Sequence, residues 1–174
     1  MSNSGRERRL TLVEMLRQTH TPVTGSELST KLGVSRQAVV NDIAILRAGG
    51  EPIIGGPRGY QLAVSTADAW PVAVLACRHD RERSRRELEI LVAHDLTVID
   101  VVVEHKLYGE VRANLLIYSK ADVDRYMDKL DAERAQPLSA LTGGVHLHHV
   151  GVPSPEKLEA AKAELAAEGF LLEE

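Results

Sequence analysis

Across residues 6–18, Leu10, Leu12, Val13 and Leu16 recur at helical spacing and predict a first helix. Thr19 to Pro22 break it. The stretch TPVTGSELSTKLGVSRQAVVNDIAILRAGG then predicts two more helices. Thr24 N-caps the second, with Glu27 three residues on as its capping-box partner and Leu28 and Leu32 facing inward. Gly33 ends it where a positive φ is needed. Ser35 caps a third helix running to about Arg47, with Ala38, Val39, Ile43 and Leu46 as its apolar stripe and Gly49-Gly50 as its stop. Residues 52–62, PIIGGPRGYQL, form two short strands around a glycine-rich turn.

After a small-residue linker at 64–69 the period changes. Strands are predicted at 70–79, 96–105, 110–119 and 143–151, with helices at 80–94 and 120–134 between them. Ser154 and Pro155 open a helix to about Glu168, and residues 170–172 add a last strand. Two helices joined by a short glycine-containing turn and followed by a β-hairpin are a winged helix-turn-helix. The expected fold class is α+β: a winged helix-turn-helix over 1–63, the linker 64–69, and a two-layer α/β sandwich over 70–174. The order βαββαβ suggests a ferredoxin-like core for the sandwich.

Charge sharpens that division. The net charge is −4, yet residues 1–63 hold eight basic and five acidic residues, a balance of +3. A mildly basic head on an acidic body suits two modules with different partners. The exposed positions at the start of the third helix, Ser35, Arg36, Gln37, Val40 and Asn41, are placed to meet base edges of double-stranded DNA. Arg suits guanine, and Gln or Asn suits adenine. Arg58 at the wing tip is placed to meet phosphate. No apolar run approaches ~18 residues, so no membrane span is expected. The N-terminus has no apolar signal region, and the single cysteine, Cys77, fits a reducing cytoplasm.

The chemistry concentrates in GGVHLHHVG. His146 and His148 are two apart and share one face of a strand. In a ferredoxin-like sheet the first and fourth strands are antiparallel neighbours, which brings His79 beside them. Glu87, on the second turn of the helix leaving His79, can fold over the same edge. Three imidazoles and a carboxylate suit one borderline divalent ion: zinc, nickel, cobalt or ferrous iron. Each residue also has a plainer reading. Glu87 could close a capping box with Ser84 or pair with Arg83, and His79 could be a satisfied strand-end histidine. His149 points to the opposite face, His94 ends a helix where a cation complements the dipole, and His20 lies in a turn. In EHKLYGEV, His105 and Tyr108 form a tight turn, a dimer contact or a wall of an effector pocket. A metalloenzyme fused to a DNA-binding head would need a general base, and none is evident, so no enzymatic activity is expected. A metal sensor whose effector is the ion itself is a further alternative.

Residues 6–63 resemble the biotin-repressor-like winged helix-turn-helix through Ser35, Arg36, Val39, Asp42, Ile43, Leu46, Arg47 and Gly50. The second module resembles the 3H (three-histidine) domain found behind winged helices in bacterial niacin-responsive repressors. It does so through His79, Glu87, the H-x-x-YG of His105-Tyr108-Gly109, RANLLIYSKADV and LTGGVHLH. Lys106 stands where that pattern usually has proline. The resemblance implies one divalent metal, nickel or zinc first among candidates, at His79, Glu87, His146 and His148. It also implies nicotinic acid as co-repressor and genes of niacin uptake or NAD synthesis as targets. A homodimer over a palindromic operator is expected.

Overall fold

The computed structural model describes residues 5–19, 21–63 and 71–172. The linker read at 64–69 and His20 lie outside them. The chain divides into two compact units, Met1–Thr66 and Ala67–Glu174.

The first unit is three helices and a hairpin: α1 (Gly5–Gln18), α2 (Gly25–Leu32), α3 (Arg36–Ala48), β1 (Ile53–Gly56) and β2 (Gly59–Leu62). Both expected caps form. Thr24 Oγ1 accepts from the Glu27 amide while Glu27 reaches back to the Thr24 amide, and Ser35 Oγ accepts from the Ala38 amide. Gly33 holds φ at 65°, the left-handed turn between α2 and α3. Leu12, Leu16, Leu28, Val39 and Ile43 close the core between the helices, and Ile53 seals it from the hairpin. Asp42 is buried on α3 and takes two hydrogen bonds from Arg8, at 2.5 and 3.1 Å, which tie α1 to α3. The wing is anchored by a pair of backbone hydrogen bonds between Val23 and Tyr60, both 2.8 Å.

The second unit packs a four-stranded antiparallel sheet against helices. Its strands are β3 (Val72–Arg78), β4 (Thr97–His105), β5 (Gly109–Ile117) and β6 (Val145–Gly151). Its helices are α4 (Ser84–Ala93), α5 (Lys120–Ala132) and α6 (Pro155–Ala167), with short 3-10 turns at Arg81–Arg83 and Leu138–Thr142. Leu75, Leu88, Leu91, Ile117, Val123, Val150, Leu165 and Phe170 belong to its single core. The expected last strand shrinks to one bridge, Cys77 to Leu171.

The α+β sandwich is as expected, but its sheet order is not ferredoxin-like. The order is β3-β6-β4-β5, so the fourth strand of the unit lies between the first and second. A ferredoxin-like sheet would put the third strand there. The side chains account for the difference. β5 exposes Glu110, Arg112 and Asn114 at alternate positions, a pattern suited to an edge. β6 buries His146, His148 and Val150, and pairs on both sides. The neighbourhood of first and fourth strands survives, with Cys77 opposite His146 and Leu75 opposite His148.

Candidate metal centre and DNA-reading helix

Three local devices build the centre. First, β3 carries its period of two past its end, so His79 follows Leu75 and Cys77 on the buried face. Second, Gly144 precedes β6 with φ at 91°, and a Cβ there would stand 2.1 Å from the His79 carbonyl oxygen. Only glycine lets the two strand ends approach so closely. Third, β4 bulges. Five residues of β4, Val98 to Val102, oppose four of β6, Leu147 to Val150. The bulge turns the Asp100 carbonyl toward His148 Nδ1, at 2.5 Å.

The four side chains meet. Glu87 Oε2 lies 2.7 Å from His79 Nε2, 3.3 Å from His146 Nε2 and 3.4 Å from His148 Nε2. His146 rings lie edge-on to those of His79 and His148, at centroid separations of 4.8 Å each. Exposures are 8% for His79, 1% for Glu87 and 3% for both His146 and His148, so the cluster is closed to bulk water. Glu87 does not cap its helix with Ser84. The cap upstream is Asp80, whose carboxylate accepts from the Arg83 amide.

Every imidazole is held from behind. His79 Nδ1 lies 2.7 Å from Asp80 O, His146 Nδ1 2.8 Å from Gly144 O, and His148 Nδ1 2.5 Å from Asp100 O. A carbonyl only accepts, so Nδ1 carries the hydrogen in all three rings. In the neutral ring Nε2 then presents a lone pair, and all three lone pairs face an acceptor-only carboxylate. Burial pushes the Glu87 carboxyl up, but the imidazoles of His148, His146 and His79 outweigh it and hold it well below the usual carboxylate range. Burial pushes His79 and His148 down, and Glu87 outweighs that and raises both. One proton on one ring neutralises Glu87 and leaves two lone pairs still facing it. A divalent cation satisfies all four groups together, and a carbonyl-held Nδ1 is the usual support of a metal-binding histidine. The residues fit such an ion.

Cys77 was missed as a member of this group. Its sulfur lies within 4.8 Å of ligand atoms of Glu87 and His146. Strand alternation alone puts it on the His79 face. Burial pushes its thiol well up, so in the protein as described it packs as a small neutral side chain.

The centre lines a tight cavity of about 20 Å³, room for roughly one water or one ligand oxygen. Ser84, Leu88, Tyr126 and Ser139 share its wall. A wider groove adjoins it through His79, Pro137 and Ser139. His105 and Tyr108 line neither space. Their rings stack at 5.0 Å, and Tyr108 is 74% exposed. The observed pairing puts their turn at the same end of the sheet as His79, displaced across the strands, whereas a ferredoxin-like order puts it at the far end. His149 serves Asp100 instead, which accepts from its amide at 3.1 Å and contacts its Nδ1 at 2.8 Å. His94 pairs with Glu164 at 2.8 Å.

In the first unit Ser35, Arg36, Gln37, Val40 and Asn41 are all exposed at the start of α3, and Gln37 donates to Asn41 across one turn at 3.0 Å. Arg58 is half-buried in the turn of the wing. No helix among the described residues is long and apolar enough to cross a membrane.

Comparison with known proteins agrees with this division. Residues 72–174 match the 3H domain and residues 8–61 match an HTH domain. The chain is 37% identical over 174 residues to the probable transcription repressor NiaR of Thermotoga maritima, covering 100% of this chain and 98% of that one. It is 36% identical over 172 residues to the transcription repressor NadR of Bacillus subtilis, covering 98% and 96%. With an exposed helix-turn-helix reader ahead of a 3H domain across its whole length, the chain belongs to this family of transcription repressors and not to an enzyme family.

Proposed function

We propose that this repressor senses nicotinic acid as co-repressor through one divalent ion, nickel or zinc, held by His79, Glu87, His146 and His148. It would act as a homodimer on genes of niacin uptake or NAD synthesis. One observation carries the reading: three Nδ1-protonated imidazoles turn their Nε2 atoms on one buried carboxylate. A cation resolves that arrangement, and a small acid is a natural exogenous partner for it. Ser35, Arg36, Gln37, Val40 and Asn41 would read bases, with Arg58 near phosphate. Two such helices would bind half-sites about 34 Å apart. Nicotinate would tighten operator binding by favouring one dimer arrangement, an effect of about 5- to 150-fold.

The test uses full-length, metal-loaded protein and an operator recovered by selection from a random duplex pool. Nicotinate is expected to lower the Kd within that range, and chelation is expected to abolish the effect. Arg36→Ala should weaken operator binding about tenfold with or without nicotinate. The tightness of the cavity favours one second reading, in which the ion alone is the effector. A full response to metal without nicotinate would establish that reading against ours.

A further inference from the structure

One polar atom beside the metal centre has no partner. Ser84 opens α4, is 5% exposed, and its Oγ makes no hydrogen bond among the described residues. It lies one helical turn before Glu87 and lines the same cavity as His79, His146 and His148. Folded chains rarely keep a buried hydroxyl unpaired, and where they do an occupant outside the polypeptide commonly satisfies it. The hydroxyl is not spent on the helix, because Asp80 performs the upstream cap. Nor does it bind Glu87, whose carboxylate oxygens are engaged by the three imidazoles.

We propose that Ser84 is a ligand-binding residue that donates its hydroxyl hydrogen to the carboxylate head of a small organic acid. The inner cavity, about 20 Å³, is too small for an aromatic ring but of the right order for part of a carboxylate beside the histidines. The rest of the acid would extend into the adjoining groove, which shares His79, Pro137 and Ser139. Leu88 and Tyr126 line the inner cavity, where they would flank the carboxylate head. This rests on the reading of the centre as an acid-sensing metal site, and it names the side chain that recognises the acid.

The experiment is calorimetry on metal-loaded, full-length protein with two acids, nicotinate and benzoate, which share a carboxylate and differ at the ring nitrogen. Ser84→Ala should weaken both acids about tenfold, the loss of one hydrogen bond to a charged group, while metal stoichiometry and metal affinity stay unchanged. Ser84→Thr, which keeps a hydroxyl, should retain most of the affinity. Unchanged nicotinate affinity in Ser84→Ala overturns the inference and leaves the nicotinate reading standing. Benzoate binding that depends on Ser84, in wild-type protein that ignores nicotinate, upholds the inference and removes nicotinate as effector. Wild-type protein that binds neither acid overturns both. Loss of metal affinity in Ser84→Ala and Ser84→Thr alike makes Ser84 structural and overturns the inference.

Discussion

Replacing Gly144 by alanine should cost the second unit at least about 3 kcal/mol and remove its capacity for metal. Two penalties act together. Gly144 has φ at 91°, where an L side chain costs of order 1–3 kcal/mol. Its new Cβ would also stand 2.1 Å from the His79 carbonyl oxygen and 2.9 Å from the carbonyl carbon, both backbone atoms with no rotamer to escape into. Relief requires the end of β3 to separate from the start of β6. That separation breaks the hydrogen bond from the His79 amide to Gly144 O and moves His146, whose Nδ1 rests on the same oxygen. Gly143 is the control. It also has a positive φ, 63°, but its Cβ would meet nothing within 4 Å, so Gly143→Ala should cost only about 1–2 kcal/mol and keep the metal. Urea unfolding and metal content measured on both variants decide the matter. A Gly144→Ala protein that loads metal like wild type would contradict this account of how the centre is assembled.

Much of the molecule was legible because local physics specified it. Thr24, Gly33 and Ser35 announce the two helices of the reader, and each cap forms with the partner its type demands. Period-two burial brought His146 and His148 to one face, and the adjacency of first and fourth strands added His79. What sequence could not carry was long-range pairing. The β3–β6 and β4–β5 pairs join through β6 and β4, where a ferredoxin-like sheet would join them through β3 and β5, and the period of each strand alone does not announce that junction. The end of the sheet at which the His105–Tyr108 turn lies depends on the same junction. The β4 bulge that aims Asp100 O at His148 is a tertiary feature too. Cys77 was within reach, since strand alternation places it with His79. The sequence offers Ser84 only as a capping residue, and its significance lies in a missing partner, which depends on the packing around it.

Glu87→Gln separates two meanings of the histidine cluster, because they predict stability changes of different size. If the cluster were a structural ion pair, the isosteric amide would leave buried charge unbalanced and cost about 3–5 kcal/mol in metal-free protein. As a metal centre, the metal-free cluster is only partly satisfied: a proton on one ring pairs with Glu87, and the Nε2 lone pairs of the other Nδ1-protonated rings still face the carboxylate. A glutamine amide donates two hydrogens into that arrangement and replaces acceptor-to-acceptor contacts with hydrogen bonds. Metal-free Glu87→Gln should therefore lie within about 1 kcal/mol of metal-free wild type. The contrast appears on adding the ion. At a free concentration a thousandfold above its Kd, a bound ion adds about 4 kcal/mol to wild-type stability. In a unit of about 100 residues that raises Tm by roughly 15 °C or more. Glu87→Gln lacks the only anionic ligand among the four and should show almost none of this rise. The protein should also take up metal less well as pH falls, because protons compete for the three Nε2 atoms and for Glu87. Thermal unfolding of both proteins, with chelator and with nickel or zinc, supplies the four values required. A large loss in the metal-free variant, together with no metal-dependent rise in wild type, would make the cluster an internal brace and remove the sensor from this repressor.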